Sequence, residues 1–164
     1  MMHIQFVLAW LNSTKNTKAA FKHASAASLF NEYTERIGQF TVCEIHSGDV
    51  LRGVSGKSGK TKALAKPEAS ALWLCDRGSG SKILSSEDVA RELARLQDGG
   101  KRNLRIGIGG PDGFSKDEIA ELKPELRWCY GPLTLPHELA AIVAAEQIYR
   151  AWTILKKMPY HGGH

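Results

Sequence analysis

An α/β fold with a largely parallel sheet and flanking helices is predicted by three observations. Short apolar segments recur along the chain, each gap between them can hold a helix, and no run of hairpins breaks the alternation. Five segments read as strands: residues 3–9, 40–46, 71–75, 104–108 and 126–130. Residues 13–37 are alanine-rich, and Phe30, Tyr33 and Ile37 keep the spacing of one helical face, predicting a helix over that span. Residues 85–98 open with Ser85 and Asp88 as a capping box and carry Val89, Leu93 and Leu96 on one side. Gly99 is suited to close that helix as a left-handed cap. Residues 115–122 repeat the opening, with Ser115 answered by Glu118. The longest helix is predicted at 136–155. Pro136 suits its first turn, where a missing N–H is harmless, and Leu139, Ile142, Val143, Tyr149 and Trp152 supply its apolar face.

The 164 residues are the size of one domain, and 43% hydrophobic with 24% charged residues is a globular composition. That balance excludes a disordered tail, a collagen-like repeat and a bundle of membrane helices. Cys43, Cys75 and Cys129 are odd in number and far apart, which suggests neither a disulfide scaffold nor a zinc site and fits a reducing cytoplasm. The apolar start of the chain ends at Asn12, far short of the ~20 residues of a membrane span. It reads as a buried strand, and the protein as cytoplasmic with no membrane partner.

The net charge of +5 is unevenly spread. Between Ser47 and Lys66, five cations (Arg52, Lys57, Lys60, Lys62 and Lys66) face the single acid Asp49, a pattern suited to a polyanion. Two Gly-Lys pairs in this stretch fail as phosphate-binding loops, because Leu51 and Val54 stand where the leading glycine is required. What remains is a cationic segment able to touch phosphates without reading bases. The turn Ile108-Gly109-Gly110-Pro111-Asp112-Gly113-Phe114 falls at a strand's carboxyl end, where α/β proteins place ligands. Its glycines admit close backbone approach, although the spacing is not that of a dinucleotide fingerprint. From Gly131 to His137 a strand passes through Pro132, Leu133, Thr134, Leu135 and Pro136 into the last helix, a connector able to offer backbone groups to a flat heterocycle between leucine walls. The chain ends in Tyr160-His161-Gly162-Gly163-His164; a Tyr-His pair is competent for proton transfer if something orders the tail.

These segments together resemble the RlmH family of ribosomal RNA methyltransferases, small members of the SPOUT class. IGGPDGF (108–114), LTLPHELA (133–140), AEQIYRAW (145–152) and PYH (159–161) occur in the family's order and spacing, and ALWLCDRG (71–78) matches more loosely. The resemblance implies a single domain over 1–164: a basic loop at 47–66, a cofactor-binding deep trefoil knot at about 71–155, and a C-terminal tail at 156–164. It implies S-adenosylmethionine held by Leu74, Gly109, Gly110, Gly131, Pro132, Leu133, Thr134, Leu135 and Pro136. It implies a homodimer that methylates N3 of a pseudouridine in 23S rRNA on the assembled ribosome. His161 is then expected as base or orienter of the nucleobase, Tyr160 as its stacking or hydrogen-bonding neighbour, His137 as a shaper of the site, and Arg150 as a clamp for phosphate or a base carbonyl. Arg52, Lys57, Lys60 and Lys62 would dock on the RNA backbone; no metal and no DNA are expected. Two positions depart from the family pattern. Cys75 stands where an acid is common, and Gly162-Gly163-His164 follows the Tyr-His pair where a basic residue usually ends the chain. Another RNA such as tRNA, or a non-catalytic ribosome-binding role, are the alternative readings.

Overall fold

The structure is a computed structural model that describes residues 1–11, 17–51 and 69–163. Its sheet is built from β1 (His3–Leu8), β2 (Cys43–Ser47), β3 (Ser70–Cys75), β4 (Lys82–Ile83), β5 (Asn103–Ile108) and β6 (Leu126–Cys129). The strand order is β2-β1-β5-β3-β6-β4, and every ladder is parallel. The helices are α1 (Ala24–Ile37), α2 (Ser86–Asp98), α3 (Lys116–Leu122) and α4 (His137–Leu155). The five expected strands are present with ends moved by one to three residues; the two-residue β4 is too short for any periodicity to show.

Side chains alternate across the sheet, as extended backbone requires. Ile4, Phe6 and Leu8 of β1 join Trp73, Leu104, Ile106 and Trp128 in one large core under α1, α2 and α4. Val7 and Leu74 point the other way, into a smaller cluster with Leu51, against which Phe114 and Ile119 and Leu122 of α3 pack.

Four local expectations are corrected. Helix α1 starts at Ala24, not at residue 13: Thr17–Ala20 form a 3-10 turn, and Phe21 is drawn into the core against Phe30 and Trp10. The second strand starts at Cys43, not at residue 40. Phe40 instead stacks on Trp152 of α4, and the Thr41 hydroxyl donates to the Met2 carbonyl at 2.9 Å. The left-handed residue after α2 is Gly100 (φ +82°), not Gly99; the Lys101 N–H then reaches the Leu96 carbonyl and the Gly100 N–H that of Gln97. Pro136 caps α4 from outside its first turn, and of the expected apolar face Ile142, Tyr149 and Trp152 are buried while two residues are not. Leu139 is exposed and Val143 half-buried, while Ala141, Ala144, Ala145, Ile148 and Ala151 are sealed. α4 packs against both α1 and α2, and alanines let those neighbours approach closely.

The capping box of α2 is present in both directions, Asp88 N–H to Ser85 Oγ and Ser85 N–H to Asp88 Oδ2, each at 3.1 Å. The Ser115 hydroxyl oxygen likewise accepts from the Glu118 N–H at 3.1 Å.

Candidate active site

Three adjacent strands, β5, β3 and β6, end side by side at Ile108, Cys75 and Cys129. The segments that leave them enclose a cavity of about 680 Å³. One wall is the 108–113 turn. Gly109 packs so closely on the returning backbone that a Cβ there would lie 2.9 Å from Gly113 Cα, and Gly113 holds φ +69°. The opposite wall is the connector into α4, from Leu133 to His137, with Ala140 beyond it.

Polar groups are fixed at the rim. Asp76 pairs with Arg127, whose guanidinium also donates to the Ser79 carbonyl. Arg77 donates to the Pro132 carbonyl at 2.9 Å and to the Thr134 hydroxyl, tying the β3 exit loop to the opposite wall. Tyr130 Oη lies 3.0 Å from both the Ala140 carbonyl oxygen and Cys75 Sγ. Burial pushes the Cys75 thiol up to about 12 and drives Tyr130 well above its ordinary range, so both stay neutral. His137 is held edge-to-face against Trp10 with ring centroids 4.5 Å apart, and the Trp10 indole N–H donates to the Ala20 carbonyl at 2.6 Å. The Lys22 N–H donates to Glu138 Oε1 at 2.5 Å, closing residues 19–23 over the start of α4.

The donor set fits S-adenosylmethionine. The volume lies in the ~300–1,000 Å³ range of small-molecule sites, and apolar walls at Ile108, Trp128, Leu133 and Leu135 suit a flat heterocycle. The glycine turn lets backbone approach closely, and Asp76, Arg77 and Asp112 offer charged partners for an amino-acid tail.

Of the expected cofactor residues, Gly109, Gly110, Leu133, Thr134, Leu135 and Pro136 line the cavity. Leu74 does not: as an alternate residue of β3 it belongs to the smaller core, and its neighbour Cys75 takes the place at the wall. Gly131 (φ +116°) and Pro132 sit behind the lining, their carbonyls accepting from Cys129 Sγ and Arg77. Asp76, Arg77, Lys22 and Trp10 were missed. A charged pair directly after an apolar strand was the available signal for the first two; Lys22 and Trp10 arrive only through tertiary packing.

The expected catalytic set divides. His137 lies at the cavity, whereas Arg150 of α4 and Tyr160 and His161 of the tail form a second cluster against α2. Arg150 lies about 15 Å further along the helix axis than Ala140. Lys157 in the left-handed conformation reverses the chain after α4, with the Met158 N–H donating to the Thr153 carbonyl at 2.8 Å. The tail thus runs back along the helix. Arg150 donates to Glu146 Oε1 at 2.7 and 2.9 Å and covers the Tyr160 ring at 4.9 Å, and the Tyr160 hydroxyl donates to the same Glu146 oxygen at 3.1 Å. His161 touches Arg150 and Glu87. The cations Arg52, Lys57, Lys60 and Lys62 lie outside the described residues. Among the described residues no cluster of His, Cys, Asp or Glu could hold a metal ion, and no helix is long and apolar enough to cross a membrane.

A glycine-walled cavity at the carboxyl ends of parallel strands, faced by a loop entering a long helix, defines an α/β small-ligand site. The chain belongs to the SPOUT methyltransferase family, whose model, described as "Predicted SPOUT methyltransferase", matches residues 17–161. Its curated relatives narrow the kinship to the RlmH branch expected from the motifs. Ribosomal RNA large subunit methyltransferase H of Koribacter versatilis is 33% identical over 160 residues, covering 96% of this chain and 97% of its own length. The protein of the same name from Magnetococcus marinus is 35% identical over 144 residues, covering 81% and 87%. A solved probable methylase family protein from Haemophilus influenzae superposes with a TM-score of 0.52 at 13% identity, over 96% of this chain and 69% of that one, a likeness of fold.

Proposed function

We propose that this chain transfers the methyl group of S-adenosylmethionine to N3 of a pseudouridine in 23S rRNA, as a cytoplasmic homodimer acting on the assembled ribosome. The observation that carries this reading is the cavity. Its two walls are the IGGPDGF and LTLPHELA segments that gave the resemblance, and relatives that match 81–96% of the chain are named large-subunit rRNA methyltransferases. One SPOUT domain, with the chain of residues 71–155 drawn through a trefoil knot, is the arrangement this family membership supports.

S-adenosylmethionine, when bound, supplies a methyl already activated on a sulfonium. The residues of the chain therefore have two tasks, positioning and deprotonation. Gly109, Gly110 and the 133–136 connector hold the donor through main-chain groups, and Arg77 keeps the two walls together. The N3 proton lies between two carbonyls and is weakly acidic; His161 removes it, Tyr160 flanks the base, and Arg150 meets a carbonyl or phosphate oxygen. His137, pinned by Trp10, shapes the cavity mouth.

The distance between the tail and its own cavity supports dimerisation as part of catalysis. His161 sits beside Arg150, so the tail of one protomer completes the cavity of its partner. Arg52, Lys57, Lys60 and Lys62 hold the rRNA backbone, and the ribosome supplies the context that phosphate contacts cannot read.

Incubation with methyl-labelled S-adenosylmethionine and intact ribosomes, followed by subunit separation, tests the reading. Label in large-subunit rRNA, recovered by mass spectrometry as N3-methylpseudouridine, is the expected result. Label confined to tRNA, or cofactor binding without transfer, overturns it.

A further inference from the structure

Both ring nitrogens of His161 are engaged. Nδ1 lies 3.1 Å from an Arg150 Nη, and Nε2 lies 2.8 Å from Glu87 Oε1. A guanidinium only donates and a carboxylate only accepts. Nδ1 therefore presents its lone pair to Arg150, and Nε2 carries the proton. The contacts fix one neutral tautomer of the imidazole.

The groups that impose it are themselves fixed. Glu87 stands in the first turn of α2, beside the Ser85–Asp88 capping box. Arg150 is gripped by Glu146 on α4, and Tyr160 packs beneath the guanidinium. Among the described residues, Glu87 from α2 and Arg150 from α4 contact the imidazole, while Glu146 backs Arg150 and accepts from the hydroxyl of Tyr160 in the tail. The cluster is complete within one chain, and the proposed homodimer brings it to the cavity of a partner.

We propose that Glu87 is a positioning residue for methyl transfer: it holds Nε2–H of His161 so that Nδ1 is the proton acceptor, and the Arg150 N–H occupies the place that the substrate N3–H takes. The inference rests on the reading of His161 as the base and adds which nitrogen acts and what directs it. In the step, the N3–H bond breaks and an Nδ1–H bond forms. The N3 electron pair takes the methyl of the sulfonium donor, whose sulfur keeps the pair of the broken S–C bond. The Glu87 carboxylate balances the imidazolium through Nε2–H until the Nδ1 proton passes to water. Arg150, released from Nδ1, turns its donors to a carbonyl beside N3. The His161 hydrogen bond, first among several contacts, holds the Glu87 carboxyl below its ordinary range, so it is ionised at neutral pH.

Two measurements on the full-length protein test this. Heteronuclear NMR of the imidazole nitrogens should find His161 in the Nε2–H form; the Nδ1–H form overturns the assignment. Glu87→Gln keeps an oxygen acceptor for Nε2–H and deletes only the charge, and the half-exposed side chain makes it safe for folding. We expect kcat to fall roughly tenfold, a part of what general-base catalysis contributes. The acidic limb of the kcat–pH profile should move to lower pH, with KM for S-adenosylmethionine unchanged and partial rescue by Glu87→Asp. A purely structural anchor predicts no change in Glu87→Gln. A wild-type profile in that variant, with His161→Ala inactive, overturns the role of Glu87 and leaves the base reading standing. Full activity in His161→Ala overturns both.

Discussion

Gly109→Ala adds one methyl group where the chain leaves β5 and becomes a wall of the cavity. The new carbon would lie 2.9 Å from Gly113 Cα and 3.0 Å from its carbonyl carbon, with Phe114 Cδ2 at 3.4 Å. Carbon atoms prefer separations of about 3.5–4.0 Å, and the two closest atoms here are backbone. Gly113 cannot retreat freely, because its N–H donates to the Gly110 carbonyl at 2.9 Å and its left-handed φ sets the turn. Relief requires the 109–113 turn to open. Forcing a methylene into a packed site costs about 1–3 kcal/mol. If that cost falls on the cavity, S-adenosylmethionine binds about one to two powers of ten more weakly. Calorimetric titration measures the loss directly. Gly110→Ala is the comparison, since its Cβ would meet only Trp10 Cβ at an ordinary 3.6 Å and should stay much nearer wild type. Unchanged affinity and melting temperature in Gly109→Ala would refute the reasoning that backbone contact at this glycine sets the wall.

His161→Ala should lower methyl transfer by about 10²–10⁴-fold while cofactor affinity stays nearly intact, because the tail lies away from its own cavity; parallel loss of both contradicts the placement. Ser85→Ala removes the capping box of α2 and should cost about 1 kcal/mol. In a chain of this size that is a fall in Tm of about 2–4 °C by calorimetry. Burial raises the Cys43 and Cys75 thiols from 9.0 to about 12, so the folded chain keeps protons that the unfolded chain releases. Their contribution is complete below pH 9.0 and declines as pH rises toward about 12. Thermal melts over that interval should show a smaller decline in Cys43→Ala/Cys75→Ala than in wild type, and identical slopes would contradict it. Replacing Lys57, Lys60 and Lys62 by alanine should reduce the salt dependence of RNA binding by about 0.7 in log–log slope per lost phosphate contact.

Much of the fold was legible in the sequence because it depends on local rules. Strand segments announce themselves by apolar runs, and the openings of α2 and α3 by serine three residues before an acid. The boundary errors arose where side chains answered to partners distant in the sequence. Phe40 carries a strand-like residue type, yet its ring belongs to Trp152, and Phe21 ends a would-be helix because the core claims it. On α4, the larger side chains Leu139 and Val143 misled, since the face pressed between two other helices carries Ala141, Ala144, Ala145 and Ala151 beside Ile148.

The sequence by itself determined the parallel α/β class, the family, and two of the segments that wall the cavity. Each of these is written in contiguous residues, where spacing and residue type act directly on the backbone. Only the tertiary structure decided that Leu74 faces away while Cys75, Asp76 and Arg77 face the site, since one residue's shift along a strand reverses the face. It also decided that His161 answers to Glu87, 74 positions away in the chain. A hydrogen bond of that range leaves no periodicity in the sequence, because it forms only after α2 and α4 have packed.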